Sequence, residues 1–106
     1  MKSKSLLAVV GALALTFSAG AAFADAEASL TKGGCMACHA KDKKLVGPSF
    51  KDIAAKYKGQ EVSAQLMEKV RAGGKGVYGP IPMPPNPVAK IDDESLKEVV
   101  AFILKS

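Results

Sequence analysis

Beyond its first two dozen residues, the sequence predicts a single all-α domain. Apolar residues recur at helical spacing in three separate stretches. Strict apolar/polar alternation never runs far enough for a sheet, and the glycines and prolines cluster between the stretches. No internal repeat or linker divides the chain.

In chain order, Lys2 and Lys4 lead into an apolar run over 6–17, and small residues follow to Ala22-Phe23-Ala24. A charged start, a short apolar stretch and an A-x-A site make a secretory signal peptide, expected to be cleaved after Ala24. The run is shorter than the roughly 18 apolar residues of a membrane span, so no anchor is expected after cleavage. Residues 25–106 are then the mature domain, 82 residues long. A short helix is expected over 26–32. Phe50, Ile53, Ala54 and Tyr57 fall at i, i+3, i+4 and i+7, with Gly59 as a stop. Val62, Leu66 and Val70 predict the next helix, ended by Gly73-Gly74. Leu96, Val99, Val100, Ile103 and Leu104 make the clearest stripe. Asp92 is its natural N-cap, Asp93 and Glu94 suit its positive start, and Ile91 can staple onto Leu96.

Two inter-helix stretches are more than linkers. Leu45-Val46-Gly47-Pro48 is a turn, because Pro48 biases Gly47 away from helical backbone. Residues 73–87 hold six Gly or Pro before Met83 and three Pro after it. Such a loop lies extended and fixes its side chains at little further entropic cost.

Cys35-Met36-Ala37-Cys38-His39 is C-x-x-C-H, the attachment motif of c-type haem. Two thiols at this spacing on a tight turn can add to the two vinyl groups along one haem edge, and the adjacent imidazole can face the iron. Covalent haem also supplies the apolar mass that a chain of this size lacks, since small scaffolds often need a staple. Zinc would need further ligands, yet the chain has two Cys and one His. A thioredoxin-like pair would want a βαβ setting, and a disulfide would close only a tiny loop of little stabilising value.

With one His, a second imidazole cannot be the sixth ligand. Met36, Met67, Met83, a lysine or water remain. Met36 lies inside the attachment turn, and Met67 lies within a helix, where Met is usually core filler. Met83, 44 residues after His39 on the stiff loop, is the expected ligand. His/Met ligation raises the reduction potential and fills both axial positions, which suits an electron carrier and not an enzyme. The competing reading, a haem enzyme or gas sensor, requires an open or displaceable distal site. No acid/base partner stands near Met83 in the sequence to support it.

The segments C-M-A-C-H, L-V-G-P, K-D-I-A-A-K-Y-K-G-Q and G-V-Y-G-P-I-P-M-P-P-N resemble the small bacterial class I c-type cytochromes of the cytochrome c-551 type, over nearly all of residues 25–106. The resemblance implies a compact cytochrome c fold of four to five short helices around one covalently attached haem. It also implies a periplasmic electron shuttle. By the same match Cys35 and Cys38 are the thioether positions, and His39 and Met83 the axial ligands. The Pro48 carbonyl would accept the His39 ring N–H, and Asn86 would lie near the Met83 sulfur. Tyr78 stands where relatives usually carry Trp near a haem propionate, and Leu30 where they often carry an aromatic. The stretch 88–91 is one residue longer than the pattern.

The mature segment, with 13 Lys+Arg against 10 Asp+Glu, has a net charge of +3. That charge, interleaved with acids and with few aromatics, excludes nucleic-acid binding as the main activity. Gly73-Gly74-Lys75-Gly76 lacks the spacing and preceding strand of a phosphate loop. Lys41, Lys43 and Lys44 are either a solvated turn or a docking rim beside the haem edge. A monomer is expected, docking transiently at that edge to redox proteins. These are a membrane cytochrome complex as donor and a periplasmic reductase, peroxidase or oxidase as acceptor, through a small interface with modest salt dependence.

Overall fold

The computed structural model describes residues 19–106, with side chains from residue 25, so most of the expected signal segment lies outside the described residues. Four α-helices and one short 3-10 helix form the domain: α1 (Ala19–Lys32), the 3-10 helix (Cys35–Ala37), α2 (Phe50–Lys56), α3 (Ser63–Ala72) and α4 (Asp93–Leu104). The all-α expectation holds, and among the described residues no helix is long and apolar enough to cross a membrane.

α1 begins earlier than the apolar pattern indicates, because the alanine-rich stretch before Asp25 favours helix without supplying a stripe. It buries Ala26 and Leu30, one turn apart, and ends where the Gly33 and Gly34 N–H groups bond Ser29 O and Thr31 O. Gly34 then takes a left-handed φ of 75° and turns the chain into the 3-10 helix. α2 starts at Ser49, whose hydroxyl accepts the Asp52 N–H at 3.1 Å, which satisfies a side chain only 2% exposed.

α4 is the element on which the others rest: α1, α2 and α3 all pack against it. Its stripe buries Leu96, Val99, Val100, Phe102 and Ile103, with Ile91 folded over the helix start as the staple. Leu30 is 2% exposed within the same cluster as Phe102, so an aliphatic side chain fills the place of an aromatic without leaving it open. The Phe50 ring meets Phe102 edge-on at 6.5 Å. α3 contributes no fully buried side chain; Leu66, Met67 and Val70 pack only partly against this core. The stretch 88–91 forms a turn closed by the Lys90 and Ile91 N–H groups on Pro87 O.

Truncating Leu96, 1% exposed, to alanine should cost about 2–5 kcal/mol in a denaturant titration. Truncating the exposed Val88 should stay within about 0.5 kcal/mol. Asp92 caps α4 by accepting the Ser95 N–H at 2.7 Å. That bond holds its carboxyl below the ordinary aspartate value, with smaller help from Lys32 and Arg71. The stabilisation from this group is complete above the unfolded-state pKa of about 3.9 and is lost as pH falls through the lower folded value. Asp92→Asn, which keeps a cap but cannot titrate, should flatten that part of the acid limb.

Candidate functional site

An apolar cavity of about 460 Å³ opens between the helices, within the range of roughly 300–1,000 Å³ usual for small-molecule and cofactor sites. Leu30, Phe50, Leu66, Val70, Val100 and Ile103 supply much of its apolar wall. The partial burial of α3 follows from this: its inner face looks into the cavity. Cys35, Cys38, His39 and Met83, the four residues singled out in the sequence, all line it. Met36 and Met67 do not; Met36 is 41% exposed and Met67 packs against the core.

The cysteines and His39 are set by a short turn. The Cys38 and His39 N–H groups both bond Cys35 O, at 3.2 and 3.0 Å, so three side chains project from one compact loop. Both cysteines are free and half-buried. Burial pushes the Cys35 thiol pKa up, with the Lys90 charge opposing, so the group stays a protonated thiol at neutral pH.

His39 is fixed from three directions. Its Nδ1 lies 2.8 Å from Pro48 O. A carbonyl can only accept, so Nδ1 carries the hydrogen and Nε2 keeps its lone pair for a metal. The ring stacks on Phe50 at 5.5 Å and 22°. Gly47 closes the third side: a Cβ there would lie 2.6 Å from His39 Cε1, so the L-V-G-P turn needs glycine for close approach.

Met83 is fixed by its own backbone. Its N–H donates to Gly74 O at 2.8 Å and its carbonyl accepts from Gly74 N at 3.0 Å. Gly73 makes this pairing possible, because its φ of 70° disfavours other residues and a Cβ would run into Met83 O and the Pro84 backbone. Asn86, 5% exposed, anchors the far side of the methionine. Its N–H bonds Val70 O and Arg71 O, and its Nδ2 donates to Val70 O at 3.1 Å and Pro84 O at 3.0 Å. The resemblance places Asn86 beside the methionine sulfur; the structure directs its amide donors to these two carbonyls.

Three side chains, Lys56, Arg71 and Lys41, make contacts without a signal in the sequence, because each reaches a residue far from it in the chain. Lys56 Nζ lies 5.9 Å from the Tyr57 ring centre and 5.8 Å from that of Tyr78, a pair of cation–π contacts at the cavity rim. Burial pushes the Tyr78 phenol pKa up, with Tyr57 and Asp52 adding to it. Arg71 donates to Asn86 O and Ile91 O and pairs with Asp93. Of the lysines after the motif, Lys43 and Lys44 are exposed, and Lys41, also exposed, extends over the Phe102 ring at 5.8 Å.

Two free thiols, an imidazole nitrogen and a thioether around an apolar cavity suit a haem: thiols for covalent attachment, N and S donors for iron, and aliphatic walls for a porphyrin.

Comparison with known proteins agrees with this chemistry. A family model described as Cytochrome c matches residues 18–106. The chain is 46% identical over 96 residues to a cytochrome c-551 of Pseudomonas aeruginosa, covering 90% of this chain and 89% of that one. It is 41% identical over 105 residues to a cytochrome c-552 of Hydrogenobacter thermophilus, covering 98% and 97%. Among solved structures, wild-type cytochrome c552 of Nitrosomonas europaea superimposes with a TM-score of 0.69 at 40% identity, covering 74% of this chain and 96% of that one.

Gly47→Ala should cost about 1–3 kcal/mol through overpacking against His39. It should also speed solvent exchange of the His39 Nδ1 proton, read by NMR, as the ring is pushed from Pro48.

Proposed function

The chain belongs to the cytochrome c family, and from that premise we propose that Cys35 and Cys38 would carry the haem as thioethers while His39 Nε2 and Met83 Sδ would hold its iron. As a c-type cytochrome the protein has one covalently attached haem c and is a small electron carrier for redox protein partners, not an enzyme. The observation that carries the ligand assignment is that His39 and Met83 line one apolar cavity, each locked by its own hydrogen bonds, while the other described methionines do not line it.

When bound, the haem supplies a one-electron Fe(II)/Fe(III) couple. The chain's residues do the rest. Pro48 O holds the His39 ring in the tautomer that offers Nε2, and a hydrogen bond to the second ring nitrogen raises the ligand's basicity. The Gly74 pairing and Asn86 hold the Met83 backbone in both oxidation states, so the ligand set need not rearrange when an electron passes. A thioether favours the reduced state and raises the potential. The aliphatic walls exclude water, which acts in the same direction by disfavouring the extra positive charge of the ferric state.

The protein is a periplasmic shuttle in this reading. Residues 1–24 direct export and are removed, and 25–106 fold as a monomer around the haem. Its donor is a membrane cytochrome complex and its acceptor a periplasmic reductase, peroxidase or oxidase. Docking is at the cavity mouth.

Absorption spectra of the exported, purified protein test the ligands. The oxidised wild type should show the weak far-red charge-transfer band of ferric iron bound to methionine sulfur. Met83→Ala should lose the band and lower the midpoint potential while keeping covalent haem. A wild type with covalent haem and no such band would overturn the assignment of Met83.

A further inference from the structure

We propose that Arg71 is a positioning residue for Met83: one guanidinium on α3 holds the segment after the methionine in place from outside. The inference rests on the His39/Met83 reading above. Residues 84–87 read Pro-Pro-Asn-Pro. Three of the four have no N–H, so the segment can offer one backbone donor to the rest of the fold, that of Asn86. This donor is already used on the C-terminal carbonyls of α3. Of its carbonyls, Pro84 O takes Asn86 Nδ2 and Pro87 O takes the Lys90 and Ile91 N–H groups, so the tie from the carbonyl of Asn86 to the rest of the fold needs a donor from elsewhere.

Arg71 is that donor. Its Nη1 lies 3.1 Å from Asn86 O and 2.5 Å from Ile91 O. One nitrogen therefore closes 86–91 into a bight against α3. Its Nη2 meets Asp93 Oδ1 at 2.6 Å in the first turn of α4. The ion pair is the weak arm, because the Asp93 side chain is 79% exposed and solvent screens such pairs. The Arg71 side chain is only 21% exposed, and its bonds to the two carbonyls are partly buried. Charge-assisted bonds of this kind are the stronger class. Loss of Arg71 frees the exit of the segment, and Met83 is then held only by Gly74 and Asn86. The population in which Met83 leaves the cavity rises, and an external ligand sees the larger competent fraction.

The test uses the oxidised holoprotein and its Arg71→Met, Arg71→Lys and Asp93→Asn variants. One measurement is imidazole titration, which reports displacement of the methionine. The other is amide hydrogen exchange at Gly74 and Met83, with Val100 in α4 as the reference for global opening. Arg71→Met keeps the stem but drops every donor. It should raise the apparent imidazole affinity on the order of tenfold and speed Met83 exchange more than Val100 exchange. Arg71→Lys should restore part of both, and Asp93→Asn should leave both within about twofold of wild type.

The proposal is overturned if Arg71→Met leaves Met83 exchange unchanged, or speeds it no more than Val100, since a merely structural role predicts equal loosening. If Arg71→Met does not fold, Arg71→Lys decides alike: selective speeding at Met83 supports the positioning role and none overturns it. If Met83→Ala binds imidazole no more tightly than wild type, the ligand reading has failed. Selective exchange at Met83 then still shows whether Arg71 holds the segment.

Discussion

Everything in this domain is arranged around an apolar cavity that its own side chains do not fill. The buried cluster is carried by α1, α2 and α4, and α3 contributes only partly buried residues, because its inner face lines the cavity. A chain this short has little core to spare, and an apolar wall left against water forfeits the burial that would stabilise it. The haem of a c-type cytochrome resolves this by being both cofactor and core. Attachment through a turn only a few residues long then fixes where the rest must go. α1 ends just before that turn, α2 is the next helix after it, and α4 closes against both.

The His39 and Met83 parts of the cavity lining are secured by different physics. On the His39 side the means are side-chain chemistry and close packing: a ring nitrogen on Pro48 O, a ring on Phe50, and no side chain at Gly47. On the Met83 side the acceptors are almost wholly backbone carbonyls, reached by the Gly74 and Asn86 N–H groups and by the Asn86 and Arg71 side chains. The last carbonyls of α3 would be orphans at any helix end. Here Lys69 O takes the Gly73 N–H, while Val70 O and Arg71 O take Asn86. The bonds that cap α3 are thus the same ones that anchor the methionine segment, so the helix end cannot fray without loosening the segment. A flexible methionine side chain is thereby presented from a stiff, doubly tied backbone.

How much of this was legible in the sequence depended on whether the signal was local. The α4 stripe, its Asp92 cap and the Ile91 staple are visible because each involves residues within a few positions of one another, and the structure reproduces all three. C-x-x-C-H is legible for the same reason. The start of α1 was missed because alanines favour a helix without marking a face. Val62, taken from its spacing as part of the α3 stripe, is instead the residue that precedes the helix and is itself buried. The Gly74–Met83 pairing, Arg71 and the Lys56 contacts escaped altogether. The first two, and the reach of Lys56 to Tyr78, join residues 9 to 22 positions apart, and no periodicity encodes them. Glycine content hinted at the first: Gly73-Gly74 read as a helix stop, and the structure shows the same glycines admitting the Met83 backbone.

The same logic extends to the cavity rim. Val46, Val77, Tyr78 and Ile81 are all at least 40% exposed and all line the cavity, with Leu45 and Met36 exposed close by in the chain. Large apolar groups gathered at one mouth differ from the scattered exposed ones of an ordinary surface and mark a contact site. Lys41, Lys43 and Lys44 precede the turn that bears Leu45 and Val46, and none of them lines the cavity. In the proposed electron-transfer encounter that would divide the labour. Charge raises the on-rate by steering, and a small apolar contact brings the redox centres close without holding them long. With a net charge of only +3 over residues 25–106 the steering would be mild. In the proposed reading the apolar rim, more than the lysines, would set how closely a partner approaches, and side-chain changes at Val77 or Ile81 would bear on that approach without touching His39 or Met83.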